Sequence, residues 1–280
     1  MPMSARTIDG RALARRILEQ TAEEIRRLGI VPGLGVILAG GDPASKVYVQ
    51  KKKEAAEEIG VLFDLHEFDE SVTEGQLLSA LAELNGRPDI HGIVVQLPLP
   101  DGLDTDRIIR AVDPKKDVDG FHPELLDRLD AGETDRTPGL VEGIELLFAE
   151  TGRKLAGQQV TVVSNGDVFS RPLGACLRRA GAAVETVRSD SPGMREAVGR
   201  ADLLITAVGQ PGLVRGDMLK PDSVVIDVGT TRVGRRIVGD VDRDTAGQVA
   251  GWITPVPGGV GPVTVAMLLK NVVRLAKGET

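Results

Sequence analysis

Residues 34–59 read LGVILAGGDPASKVYVQKKKEAAEEI, and the fold class follows from how this stretch divides. Leu34 to Ala39 is a short apolar run suited to a buried strand. Asp42 can cap a helix start, and Pro43 suits the first helical position, where its missing N–H costs nothing. Good helix formers then continue to Ile59, with a stop at Gly60. A strand running straight into a helix is the repeating unit of a layered α/β protein.

On the helix of this unit Tyr48 and Lys52 lie four residues apart, one above the other on one face. A phenol over an amine is a candidate proton-transfer site, since burial and nearby cations move a lysine towards neutral pH. Lys51 and Lys53 are such cations, but their side chains diverge by about 100° to either side. Taken alone, the stretch reads more simply as a solvated basic face with a half-buried tyrosine.

Outward from this unit the alternation continues. Apolar positions at Leu13, Ile17, Leu18, Ile25 and Leu28 predict a helix over 10–28, stopped by Gly29. Val61 to Phe68 predicts a strand, and Thr73 to Gln76 has capping-box spacing ahead of a helix through Leu84. Ile90 to Gln96 predicts a buried strand ended by Pro98 and Pro100. Strands alternating with helices imply parallel pairing. The loop over 113–123, DPKKDVDGFHP, is dense in Asp, Gly and Pro, and such loops at strand carboxyl ends bind ligands.

A helix from about Leu140 to Glu150 leads into Lys154–Gly157, which reads as a domain junction. Strands are then expected at Val160–Ser164, Ala183–Val187, Asp202–Ala207 and Val224–Val228, with a short edge strand at Arg236–Val238. Helices are expected at Arg171–Ala180, Met194–Gly199 and Val263–Ala276. The strand, turn and helix from Val160 sit where a dinucleotide-binding unit would begin.

At 280 residues the chain can bury one large core or two medium ones. A net charge of −7 and 2% aromatic residues exclude the basic stripe and stacking platforms of a nucleic-acid surface. The single cysteine, Cys176, permits no internal disulfide and fits a reducing compartment. His66, His91 and His122 are scattered without cysteine partners, so no metal site is expected. Ala246 to Leu269 carries no charge, yet its glycines and prolines break a membrane-spanning helix. A soluble, cytoplasmic protein is expected.

Four segments together resemble one family: YVQKK (48–52), VVQLPLP (94–100), KDVDGFHP (116–123) and TPVPGGVGPVT (254–264). IDGRALA (8–14), ADLLITAVGQPG (201–212) and VVIDVG (224–229) agree, in the same order along nearly the whole chain. They are similar to the bifunctional methylenetetrahydrofolate dehydrogenase/cyclohydrolases of one-carbon metabolism, which feeds purine biosynthesis. The resemblance implies an α/β protein of two domains with a cleft between them. Residues 1–139 with a C-terminal helix over about 262–280 would form the folate-binding catalytic domain. Residues 140–261 would form a Rossmann-like NAD(P)-binding domain. It further implies a homodimer that acts on a small-molecule folate with NADP, NAD being a possible substitute.

By the same resemblance, Lys52 is the general acid/base for ring opening, an amine that must be neutral and still return a proton. Tyr48 stacks on the folate and orients that lysine, and Gln96 holds its amine. Asp119 binds the pterin, whose amino group and adjacent ring N–H suit two carboxylate oxygens. Val95 and Leu97 flank Gln96 along the substrate. Pro257, Gly258, Gly259 and Gly261 match a substrate-side loop, where glycines let the backbone approach a ligand closely, and they can form a tight domain-joining turn at the same time. Ser164, Asn165, Gly166, Arg171, Ser189 and Thr230 occupy the cofactor positions.

The chain departs from the family most at the cofactor turn, Ser164 to Pro172. Gly is lost at positions 164 and 170, Asn165 stands where an Arg often helps hold the 2′-phosphate, and Asp167 brings a negative charge towards the pyrophosphate. Arg171 could offset that charge from the helix start. Asp190 falls where a basic residue is common, although Arg188 is adjacent, and Thr230 replaces an Ile. Between the domains, a Pro-Cys-Thr-Pro becomes Asp135-Arg136-Thr137-Pro138. These departures leave two alternatives beside the bifunctional enzyme. One is a single-activity relative, either a cyclohydrolase with impaired dehydrogenase or an NAD-preferring dehydrogenase. The other is a folate- or nucleotide-binding regulatory protein, which would not need Lys52.

Overall fold

The computed structural model describes residues 4–134, 136–234 and 236–279; Asp135 of the inter-domain segment lies outside them. In chain order the elements are β1 (Arg6–Thr7), α1 (Gly10–Leu28), β2 (Gly33–Ala39), α2 (Pro43–Ile59), β3 (Leu62–Phe68), α3 (Glu74–Gly86) and β4 (Gly92–Gln96). There follow α4 (Thr105–Arg110), α5 (Pro123–Asp130), α6 (Gly139–Ala149), β5 (Gln159–Ser164), α7 (Asp167–Arg179), β6 (Ala183–Val187) and α8 (Met194–Arg200). The chain closes with β7 (Leu203–Ala207), β8 (Val224–Asp227), β9 (Thr231–Val233), β10 (Arg236–Val238), α9 (Arg243–Ala246), β11 (Trp252–Ile253) and α10 (Val260–Ala276). They group into two compact units, Ala14–Gly139 with Val265–Thr280, and Met1–Leu13 with Leu140–Thr264.

The first unit is built on a parallel sheet in the order β3-β2-β4. Strand β2 is buried on both faces, and its side chains alternate between two cores. Leu34, Val36 and Leu38 pack with Val49 and Ala56 of α2 and with Leu268 and Val272 of α10. Ile37 and Ala39 pack on the other face with Leu77, Leu81 and Leu84 of α3 and Ile108 of α4. Helix α2 begins as its sequence dictates, the Asp42 carboxylate accepting from the N–H groups of Ala44 and Ser45 at 3.3 and 2.8 Å. It ends at Gly60, whose φ of 84° is left-handed. The Thr73 capping box is formed in full.

The second unit carries a six-stranded sheet in the order β1-β11-β8-β7-β5-β6, parallel throughout. From β5 onward this is a doubly wound order that reverses between β5 and β7, the switch point where such sheets hold ligands at their carboxyl ends. Residues 1–13, assigned above to the first domain, group here because β1 pairs with β11, Arg6 opposite Trp252. The division falls at Gly139 and Leu140, ahead of α6 and not at Lys154–Gly157. The Arg236–Val238 segment is no edge of the large sheet but half of a separate antiparallel hairpin with β9. Among the described residues no helix is long and apolar enough to cross a membrane.

Candidate active site

Helix α2 buries one face, Ser45, Val49, Lys52, Ala56 and Ile59, with helical spacing. Lys52 therefore enters the protein with the apolar residues, and only 8% of it remains exposed. Its Nζ donates to Gln96 Oε1 at 3.0 Å. The Gln96 amide is oriented for this, because its Nε2 donates to the Leu97 carbonyl at 2.8 Å. Ser45 Oγ also donates to that carbonyl, at 3.2 Å, tying the start of α2 to the end of β4. Serine 45 was not singled out from sequence, since its role depends on a carbonyl fifty-two residues away.

Burial lowers the Lys52 pKa, and the negative charge of Asp119 opposes the shift. Asp119 answers in the other direction: burial raises it, Lys52 restrains the rise, and Asp117 adds to it. Each group thus has its neutral form brought closer, the condition under which an amine can both take and return a proton. The neighbouring cations have no part in this. The Lys51 ammonium lies over the Tyr48 ring, 5.6 Å from its centroid, and Lys53 faces Glu57 at 3.9 Å. Tyr48 is half-buried beside Lys52 on the same helix, with no hydrogen bond between them among the described residues.

Asp119 presents its carboxylate with no hydrogen-bond donor on it among the described residues, although it sits deep enough for burial to dominate its titration. Two adjacent donors on a ligand would satisfy it. Leu97 is 46% exposed next to Gln96, a surface for an apolar ring edge. Val95 differs from expectation: its side chain belongs to the opposite core, with Ile93 and Ile108, so only its main chain stands on the Gln96 side of the sheet.

In the second unit the loops after β5 and β6 are stitched together. Asn165 Oδ1 accepts from the N–H and the hydroxyl of Ser189, both at 3.0 Å, and its carbonyl accepts from Arg188 at 2.9 Å. Ser164 Oγ donates to the Gly166 carbonyl at 3.1 Å. Gly166 caps α7 without a side-chain hydrogen bond, which leaves first-turn N–H groups for an anion. Helix α7 starts at Asp167, so Arg171 stands a full turn inside the helix and not at its start. Asp167 is exposed. Arg188 is paired with Asp190 at 3.1 Å and holds that carboxyl below its usual range. Thr230 is exposed after β8, and its neighbour Thr231 donates to the Gly209 carbonyl at 3.0 Å.

Two buried carboxylates that sequence reading did not single out shape the switch-point loops. Asp240, fully buried, accepts from the N–H groups of Val208 and Gln210 at 2.7 and 2.8 Å. Asp227 accepts from Thr206, Gly229, Asp240 and Val241, and burial pushes its pKa up to about 6. Gly239 and Gly229 allow this packing, since a Cβ on either would fall within 2.4 Å of an aspartate oxygen. The Pro257–Gly261 loop belongs to the same unit. Gly259 must be glycine for the chain's own sake, because a Cβ there would meet the Pro255 carbonyl oxygen and the Thr254 Cβ at 2.7 Å, and its carbonyl oxygen in turn leaves no room for a Cβ on Gly10. Gly258 has a φ of 112°, and Gly261 lies in the first turn of α10.

A three-stranded α/β unit with a buried amine held by an amide and facing a carboxylate, and a doubly wound unit with dinucleotide-binding topology, define a nucleotide-dependent enzyme of two-part build. The profile of the tetrahydrofolate dehydrogenase/cyclohydrolase catalytic domain matches residues 8–119, and that of the same family's NAD(P)-binding domain matches residues 138–280. The chain belongs to this family. The bifunctional protein FolD of Bacillus subtilis is 43% identical over 279 residues, covering 98% of this chain and 99% of its own. The Trypanosoma brucei dehydrogenase-cyclohydrolase, solved with NADP cofactor and inhibitor, is 38% identical with a TM-score of 0.95 and covers 99% of both chains. The Campylobacter jejuni bifunctional enzyme is 38% identical with a TM-score of 0.93, covering 99% of this chain and 100% of its own.

Proposed function

We propose that this chain oxidises methylene-tetrahydrofolate to methenyl-tetrahydrofolate with NADP and then hydrolyses that product to 10-formyl-tetrahydrofolate. The observation that carries the reading is the buried Lys52 amine, fixed on Gln96 and electrically coupled to an Asp119 carboxylate that meets no donor among the described residues. In ring opening, neutral Lys52 takes a proton from the water that adds to the methenyl carbon. The resulting ammonium returns a proton to N5 of the folate as the bond from that carbon to N5 breaks, and the remaining hydroxyl proton leaves to solvent as the formyl carbonyl forms. Gln96 holds the amine in both states, because its carbonyl oxygen accepts from either. Asp119 accepts from the pterin amino group and the adjacent ring N–H, and Leu97 and Tyr48 flank the ring.

The second unit supports dinucleotide binding. First-turn amides of α7 suit a pyrophosphate, and Ser189 and Arg188 suit a ribose phosphate. Bound there, the nicotinamide supplies the hydride acceptor for the first step. Because Arg188 is shared with Asp190, NAD is accepted alongside NADP in this reading. The protein acts in the cytoplasm as a homodimer in the same reading, which light scattering tests for assembly.

The enzymatic test uses purified protein with methylene-tetrahydrofolate and NADP, following methenyl absorbance. Methenyl formation that depends on NADP supports the reading, and hydrolysis of supplied methenyl-tetrahydrofolate without any oxidation reduces it to a cyclohydrolase. Lys52→Ala is expected to abolish ring opening while folate affinity stays within about tenfold, because the amine acts in the transition state. Hydrolysis at the parent rate in that variant removes Lys52 from the mechanism.

A further inference from the structure

The peptide that carries Asp119 is held on nearly every polar atom around it. The Asp119 N–H donates to Asp117 Oδ1 at 3.1 Å, and its carbonyl accepts from the Gly139 N–H at 3.2 Å. The Val118 carbonyl accepts from Asn271 Nδ2 on α10 at 2.9 Å. The Asp117 carbonyl accepts from the Arg136 guanidinium, whose other arm donates to the Pro114 carbonyl at 3.1 Å. Asp117 Oδ2 accepts from the His122 N–H at 2.8 Å, which closes the turn. The loop over 113–123 is thus bracketed from outside by one guanidinium that grips it at two points three residues apart.

The charges run in the same order. Lys52 on α2 faces Asp119, Asp117 of its own loop faces Asp119, and Arg136 faces Asp117. Arg128 on α5 is the remaining charge acting on Arg136, and it repels it. Two cations therefore enclose two carboxylates. Burial costs the guanidinium some of its basicity, yet it starts so high that it stays charged. Arg136 stands where the family resemblance leads one to expect a cysteine, which could supply neither the fork of donors nor the charge.

We propose that Arg136 is a positioning residue of the folate site, acting on Asp119 through Asp117. Its two arms fix the carbonyls of Pro114 and Asp117, and its charge offsets Asp117 so that the Asp119 carboxylate answers to Lys52 and the pterin. This rests on the folate reading of that site. Without Arg136, an uncompensated Asp117 would repel the Asp119 carboxylate and favour its neutral form, which accepts pterin donors poorly. A residue that merely stabilised the loop would lower the melting temperature and leave the pH dependence where it was.

The experiment compares the parent, Arg136→Gln, Arg136→Lys and the double variant Arg136→Gln/Asp117→Asn, with methenyl-tetrahydrofolate as substrate across pH and with melting temperatures in parallel. In Arg136→Gln, KM is expected to rise about tenfold with kcat changed less, and the acid limb of kcat/KM to move up by about one pH unit. Arg136→Lys keeps the charge and loses the fork, so its acid limb stays at the parent position while KM rises about threefold. The double variant returns the limb towards the parent, because the repelling charge is gone. An Arg136→Gln enzyme with the parent's KM and acid limb overturns the proposal, whatever its melting temperature. If that variant does not fold, an acid limb displaced in Arg136→Lys overturns it instead. A parent protein without hydrolytic activity overturns the folate reading itself, whereas an active parent with kinetically silent variants overturns only the role of Arg136.

Discussion

The two units hold their functional groups in opposite ways. In the first, a buried amine meets a half-buried amide across α2 and β4, and the loop that carries the Asp119 carboxylate is tied to α10. In the second, Asn165, Arg188 and Asp190 beyond β5 and β6 are exposed, and the loop residues bind mostly each other, Asn165 to the half-buried Ser189 and Arg188 to Asp190. The difference is one of dielectric. A charge out of water interacts strongly and tolerates few replacements, whereas an exposed pair contributes about 0–1 kcal/mol and can be exchanged.

The contrast breaks most visibly at Asp119. Its replacement by Ala is expected to weaken folate binding by about 2 kcal/mol, since it removes a charged acceptor from buried donors. A calorimetric titration with unchanged affinity would remove Asp119 from the pterin site.

A second expectation concerns Asp227, which shows that the second unit also has a buried electrostatic layer beneath its exposed loops. Its pKa is raised from 3.8 to about 6, so between those values the folded protein keeps a proton that the unfolded chain has released. The contribution is fully present below pH 3.8 and is lost as pH rises through 6. By linkage, the stability of the parent relative to Asp227→Asn should fall by about 3 kcal/mol across that window. Denaturant titrations at several pH values measure it, and parallel curves for the two proteins would show that Asp227 is ionised throughout.

The smallest expected effect lies on the surface. Asp190→Ala should release Arg188 for a 2′-phosphate and raise the ratio of NADP to NAD efficiency by a few fold, an effect that added salt erodes. An unchanged ratio would separate Arg188 from cofactor choice.

Much of this arrangement was legible in the residues themselves. Asp42, Pro43 and Gly60 delimit α2, and the i,i+4 spacing aligns Tyr48 with Lys52. What the spacing could not say was which face of α2 is buried, and therefore that Lys52 goes inside while Lys51 and Lys53 stay out. Strands β1 and β11 have two residues each, too few to show a period, so the grouping of residues 1–13 escaped notice. Helix α7 starts four residues ahead of the expected Arg171, because Gly166 offers no side-chain cap and Pro172, sixth in the helix, resembles a first-turn proline. Asp117 closes its own turn onto Asp119 and His122, a local role that the Asp- and Gly-rich loop makes legible, whereas Arg136 and Asp240 act on main-chain groups brought near by folding and leave no local pattern.

The most direct measurement is the titration of the Lys52 amine itself, followed by NMR on protein with labelled lysine side chains and assigned through Lys52→Arg. Lys52 is expected to lose its proton below the ordinary lysine value, and Asp119→Asn should bring the transition lower still, since the opposing negative charge is removed. A Lys52 signal that titrates at the ordinary lysine value of 10.5 or above, indifferent to Asp119, would contradict the account.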